Sequence, residues 1–250
     1  MTISLGTLVG FLLVLARVGG ALVFVPLPGL NAAVAPARVM LALGFTMALM
    51  ARWPEIAAVP AIGTLLIWTA AETALGIATG AAVAMVLEAF VLAAQILGLQ
   101  AGYAYASTVD PNTEADSGVL LVLAQLMAGM LFFALGLDRE VLRLFADSLE
   151  RIPPGSFVPG VRTAQALIEL GANLFPFALR LAFPVVGMLL LVDVSLALLG
   201  RLNAQLQLLT LAFPAKMLTA LVVLSAISSL FPRLMLEFSA LAWNMVRQIR

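Results

Sequence analysis

Neither cysteine nor histidine occurs anywhere in the 250 residues. Without cysteine there is no disulfide, no thiolate nucleophile and no cysteine-bound zinc. Without histidine the commonest general base is missing as well. Charge is scarce too. Asp, Glu, Lys and Arg make up 10% of the chain, against about 25% in a soluble domain. The 13 basic and 13 acidic residues cancel, so nothing points to a nucleic-acid partner. The sequence holds no phosphate loop, nucleophile elbow or metal-ligand cluster. Carboxylates at helical spacing lie between positions 138 and 150, interleaved with arginines, and read as a solvated face. Neither an enzyme nor a cofactor is expected. A cleaved signal peptide is not expected either. The start lacks a basic region, and its apolar run continues past Arg17 without a small-residue cleavage site.

What is present is apolar surface, at 63% of residues against about 45–50% in a soluble domain. Residues 57–107 are interrupted only by Glu72, Glu88, Gln95 and Gln100. A helix crosses a bilayer core in about 20 residues, so this stretch is long enough for two spans. Seven apolar segments are expected, at roughly 5–28, 36–51, 60–82, 85–105, 118–137, 164–200 and 206–231. The second is short for a span and reads as re-entrant or protein-buried. The sixth contains Pro176 and Pro184 and is expected to bend or break. The fold class is therefore all-α, a polytopic membrane protein of about six to seven mostly hydrophobic helices.

Orientation follows Lys and Arg. The loop at 103–117 has Asp110, Glu114 and Asp116 but no basic residue, and reads as non-cytoplasmic. The loop at 138–162 carries Arg139, Arg143, Arg151 and Arg162 and reads as cytoplasmic. Alternation then puts the N-terminus outside and the tail with Arg233, Arg247 and Arg250 inside. Arg52, at an outer turn, is an exception. Residues 139–150 are expected to form a short amphipathic helix, with Val141, Leu142, Leu144, Phe145 and Leu149 on its apolar side and Ile152, Pro153, Pro154 and Gly155 ending it.

Six ionisable residues lie at apparent membrane depth: Arg17, Glu72, Glu88, Arg180, Asp193 and Lys216. Each costs about 2.5–3.5 kcal/mol or more at a bilayer centre unless paired or hydrated. An ion relay, buried structural pairs and a hydrated protein interior all remain open. Equal numbers of acids and bases favour pairing or hydration, and Arg17 and Arg180 can also snorkel. Gly6 with Gly10, Gly76 with Gly80, and Gly98 with Gly102 stand four apart. That spacing puts both glycines on one helix face, where a second backbone can approach. For residues 103–112, the residue types alone read as an exterior loop with interfacial tyrosines.

Longer patterns run through the chain. The central one is Gln95, Gly98, Gln100 and Gly102, then Tyr103, Tyr105, Asp110 and Pro111. It is followed by Leu131, Phe132 and Phe133, then Leu149 through Pro153 to Gly155. Earlier come Arg17, Pro26, Pro28, the Pro36–Arg38 turn, and Glu72 with Gly76 and Gly80. Later come Gly200, Arg201, Asn203, Gln205 and Gln207, then Phe213, Pro214 and Lys216. In this order they resemble the FliR family, export-gate subunits of flagellar type III secretion, and the related injectisome family SctT. Two positions depart from the family pattern. Ala204 precedes Gln205 where a proline is common, and Asp138 stands where histidine is often found.

The resemblance implies a non-catalytic subunit of the bacterial inner membrane, in the flagellar basal body. It implies one copy in a hetero-oligomer with FliP-like and FliQ-like subunits and an FlhB-like partner on the cytoplasmic side. Unfolded protein substrates would pass through the assembly, with membrane lipid around it. Residues 1–250 form one export-gate domain by this likeness, with 1–162 FliP-like and 163–250 FliQ-like, and helices arranged as hairpins. Gly102, Tyr103, Ala104, Tyr105, Ala106, Ser107, Thr108, Val109, Asp110, Pro111 and Asn112 match the family's pore plug. Arg17, Glu72, Glu88, Arg180, Asp193 and Lys216 are expected to serve assembly as buried charges, and Gly76, Gly80 and Gly98 close helix packing. The rival reading is a small ion-coupled secondary transporter using Glu72, Glu88 and Asp193. Such proteins usually show paired internal repeats, and none is evident here.

Overall fold

Helix is the only regular structure in the computed structural model, which describes residues 4–25, 35–54, 56, 60–102, 119–202 and 208–249. In chain order the helices are α1 (Leu5–Phe24), α2 (Ala35–Ala48), α3 (Ile62–Ala101), α4 (Val119–Ala134), α5 (Leu137–Arg151), α6 (Val161–Leu202), α7 (Leu208–Ile227) and α8 (Leu230–Gln248). A 3₁₀ turn at Met50–Arg52 follows α2. The helices α1, α3 and α6 are long and apolar enough to cross a membrane. The pairs α4/α5 and α7/α8, bent by 65° and 69°, have the length and composition of a broken span or a re-entrant loop.

The expectation of two spans within 57–107 is corrected. One helix of 40 residues occupies 62–101. Positions 82–85, read as a break, are Ala82, Val83, Ala84 and Met85. None is a glycine, proline or turn former, so nothing stops the helix. The sixth segment is likewise one helix of 42 residues, with Pro176 and Pro184 inside it. The short amphipathic helix forms as α5. Gly136 precedes it in the left-handed region at φ 70°, Asp138 and Glu140 occupy its first turn and Arg151 its last. Both ends therefore complement the helix dipole. Leu144, Phe145 and Leu149 are buried.

By its contacts the chain divides into two units. The first comprises 1–86, 132–172 and 238–250, the second 87–131 and 173–237. In the first, Val14, Val18 and Leu22 of α1 pack with Ala42 of α2 and Leu149 of α5, against Leu49 and Trp53. Ala71, Leu75 and Ala78 of α3 pack with Phe157 and Ile249. The amphipathic α8 had no counterpart in the sequence reading. Its buried positions Phe231, Met235, Phe238, Ala242 and Val246 recur every three to four residues.

One contact departs from a strict alternation of sides. Strict alternation sets the turn at Arg52 and the loop of Glu150 on opposite faces of the membrane. Here Arg52 Nη1 lies 2.7 Å from Glu150 Oε1, and Leu49 and Trp53 pack on the cluster containing Leu149. The two turns are neighbours. The pair itself is exposed and contributes little stability.

Candidate functional site

Two charge clusters organise the chain, one in each unit. The first centres on Arg17, near the middle of α1, and Glu72 on α3. Their side chains are 1% and 0% exposed, with Arg17 Nε 2.5 Å from Glu72 Oε2. Arg17 Nη1 donates to the Ser148 carbonyl at 3.0 Å and to Ser148 Oγ at 3.2 Å. Its Nη2 donates to the Ile152 carbonyl at 2.8 Å. Those two carbonyls lie at the C-terminus of α5, where the negative dipole calls for a cation and the Ile152 carbonyl, past the last helical residue, calls for a donor; the Ser148 carbonyl also accepts the Ile152 N–H. A guanidinium satisfies both needs at once. The second carboxylate oxygen, Glu72 Oε1, accepts from the Gly155 backbone N–H at 2.9 Å. Gly155 has φ +90° and packs against the Trp68 ring. Both carboxylate oxygens are thus occupied. Together the pair fastens α1, α3, the end of α5 and the Pro153–Pro154–Gly155 turn.

Small residues bring α1 and α3 close enough for this. A Cβ on Gly76 would strike the Arg17 carbonyl, and one on Gly80 would strike the Ala21 carbonyl. Gly20 faces the Thr73 carbonyl in the same way. Of the other glycines, Gly6 and Gly10 face the backbone at Ile56 and Pro54, and a Cβ on Gly98 meets nothing among the described residues.

The second cluster joins α3, α6 and α7. Lys216 Nζ lies 2.9 Å from Asp193 Oδ1 and 3.1 Å from Oδ2. Gln100 Nε2 donates to Asp193 Oδ2 at 3.3 Å. Two residues beyond Gln100, Gly102 has φ +85°, and a Cβ there would stand 2.7 Å from the Phe213 ring. Residues Tyr103 to Asn112, the remainder of the expected plug, lie outside the described residues.

Glu88 and Arg180 are exposed on the chain by itself. For Glu88 the reason is helical phase. Sixteen residues separate it from Glu72, and at about 100° per residue the two point about 160° apart. Burying Glu72 therefore turns Glu88 outward. The Arg180 guanidinium stacks over the Phe177 ring at 5.2 Å.

Neither cluster is laid out for covalent chemistry. Among the described residues no group of three or more Asp, Glu, His or Cys could hold a metal ion. An apolar cleft of about 250 Å³ in the second unit is lined by residues such as Phe90, Leu97, Leu181 and Phe231, with Ser225 and Ser228 as its polar members. It lacks the convergent polar groups of a small-molecule site. The sequence reading missed Ser148, the Ile152 carbonyl, Gln100 and Phe213. Two of them act through backbone carbonyls, which no side-chain pattern reveals. Gln100 did carry a signal, as an amide inside an apolar run.

Comparison with known proteins follows the same lines. A family profile described as "Bacterial export proteins, family 1" matches residues 8–241. The flagellar biosynthetic protein FliR of Escherichia coli (strain K12) is 31% identical over 200 residues, covering 79% of this chain and 75% of the relative. The FliR of Pectobacterium carotovorum subsp. carotovorum is 25% identical over 197 residues, covering 78% and 76%. That of Caulobacter vibrioides is 24% identical over 217 residues, covering 85% and 86%.

Proposed function

We propose that this chain, which belongs to the FliR family of bacterial export proteins and is a membrane component of the flagellar export apparatus, acts there as a subunit of the export gate. The family is non-enzymatic, and the work is packing and gating.

The observation that carries the reading is the size of α3 and α6 and the bareness of α6. At 40 and 42 residues they are about 60 Å long, twice a bilayer core of about 30 Å. Only 22% of the most apolar window of α6 is buried by the chain itself. Glu88 and Arg180 open outward from these same helices. Lipid is a costly neighbour for such charges, whereas partner helices or channel water are not. A FliP-like part at 1–162 and a FliQ-like part at 163–250 would supply surfaces for FliP-like and FliQ-like neighbours. An FlhB-like subunit would meet the cytoplasmic side, and unfolded proteins would be the cargo. The transporter reading loses support because Glu72 has no free oxygen and Asp193 is engaged by Lys216 and Gln100.

The same geometry supports one membrane topology. With α2 not crossing and α3 crossing once, the N-terminus stays outside, the Arg52 turn lies inside and the acidic loop at 103–117 lies outside. The loop at 138–162 and the C-terminus lie inside. Arg52 then ceases to be an exception to the basic-residue rule. The absence of native cysteine makes the check clean. Single cysteines at Arg52 and at Asn112 are expected to react with an impermeant maleimide from opposite faces of the membrane. Labelling of both from one face would refute this arrangement.

Residues 103–112 are the pore plug in this reading. Tyr103 and Tyr105 supply bulk with hydroxyls for a neighbour, and Asp110, Pro111 and Asn112 favour a turn. A seal that must open for a polypeptide calls for loop rather than helix. Tagged chain is expressed alone and then with FliP-like and FliQ-like partners, and each product is weighed by native mass spectrometry from mild detergent. A hetero-oligomer with one copy of this chain is expected, and deleting 103–112 should raise its ion leak several-fold. A stable monomer or homodimer indifferent to the partners overturns the gate reading. An unchanged leak in the deletion variant removes the plug role.

A further inference from the structure

We propose that Gln100, Asp193 and Lys216 form a releasable latch that ties α6 and α7 to the end of α3 while the gate is shut. The proposal rests on the gate reading and adds a control element to it.

The ion pairs at the centres of the two charge clusters are built differently. The Arg17–Glu72 pair is sealed at 1% and 0% exposure, and four further hydrogen bonds hold it in place. Such a pair is a permanent fastening. The Lys216–Asp193 pair is 17% and 40% exposed, so water can take over from either partner. Lysine is a compact charge on a flexible stem, and its donors rotate to a new acceptor without the planar match an arginine demands. The third member, Gln100, is a neutral amide bonded at 3.3 Å. Every bond in this cluster is of a kind that can be exchanged.

Its position gives the exchange a purpose. Gln100 occupies the last turn of α3, two residues before Gly102. Gly102 packs against Phe213, which precedes Lys216 by three residues on α7. Between them lies Pro214, inside α7. Lys216 and Phe213 therefore grip the chain from one helix turn, immediately before residues 103–112. Releasing Lys216 from Asp193 frees that turn.

Charge reversal tests this in the assembled gate. Asp193→Lys and Lys216→Asp are each expected to raise ion leak several-fold, and the double exchange to restore the parental leak. Single variants that assemble and hold ions like the parent overturn the latch, as does an exchange that leaks like the single variants. Where reversals block assembly, Asp193→Asn combined with Lys216→Gln breaks the pair without juxtaposing like charges. A raised leak in that assembled variant supports the latch. An unchanged leak, or loss of assembly even there, overturns it and makes the cluster a folding element. Deletion of 103–112 is the control. If it leaks and the latch variants do not, the latch alone fails; if neither leaks, the plug reading fails too.

Discussion

Glu72→Gln is expected to destabilise the chain by about 3–5 kcal/mol, the cost of stranding one member of a buried ion pair. The substitution keeps the shape of the side chain and removes its charge. Arg17 then remains 1% exposed with only carbonyl and hydroxyl acceptors around it. The new amide must also turn its N–H₂ group toward either Arg17 or the Gly155 N–H, both of which are donors. Arg17→Met should cost as much by the opposite route. It leaves the Glu72 carboxylate with one backbone N–H and removes the buried donor from the Ser148 and Ile152 carbonyls. Replacing both together, Arg17→Met with Glu72→Leu, removes both buried charges, and the loss should be smaller than for either single variant. Thermal melting of the purified assembly in one detergent measures all three. Singles that melt with the parent would show that the pair is dispensable, and a double variant worse than both would refute the stranded-charge account.

That cluster was partly legible in the sequence. Arg17 and Glu72 stood out because charges within apolar runs demand a partner. Three acids and three bases at apparent membrane depth left the pairing open, and the sequence did not exclude Glu88 as the partner of Arg17. Helical phase would have settled it, since the 16-residue separation sends Glu88 to the other side of any single helix holding both. The reading divided that helix in two because its length suggested two spans, and the phase argument was thereby lost. A bilayer thickness sets the length of a lone span but places no limit on a helix sheathed by protein.

The C-terminal helix was lost for the converse reason. Residues 230–248 hold Arg233, Glu237, Asn244 and Arg247, which lower the average hydropathy below that of a span. The periodicity of Phe231, Met235, Phe238, Ala242 and Val246 was there to be read, but hydropathy averages discard phase. By contrast, α5 was found because periodicity was the signal used there. Gly76 and Gly80 were legible as a spacing, whereas their partner helix was not, because a glycine pair does not say which backbone it admits. Gly98 has the same spacing, and a Cβ there meets nothing among the described residues.

Gly76→Leu is expected to be as damaging as the loss of either buried charge, for a reason specific to this contact. Overpacking a core usually costs about 1–3 kcal/mol, because side chains can yield. Here the obstruction is main chain. A Cβ on Gly76 meets the carbonyl of Arg17 itself, so a leucine must push the α1 backbone away at the residue whose side chain reaches Glu72. The steric cost and the strained Arg17 bonds then arise together. The two effects should overlap, so the loss for Gly76→Leu with Arg17→Met should fall short of the sum of the single losses. Gly98→Leu, on the same helix with nothing near its Cβ among the described residues, is the control and should stay close to the parent in melting temperature. Melting and yield of the four variants decide the matter. A Gly76→Leu protein as stable as the Gly98→Leu protein would mean that α1 and α3 do not touch through their backbones. Strict additivity with Arg17→Met would mean that the contact and the ion pair are independent.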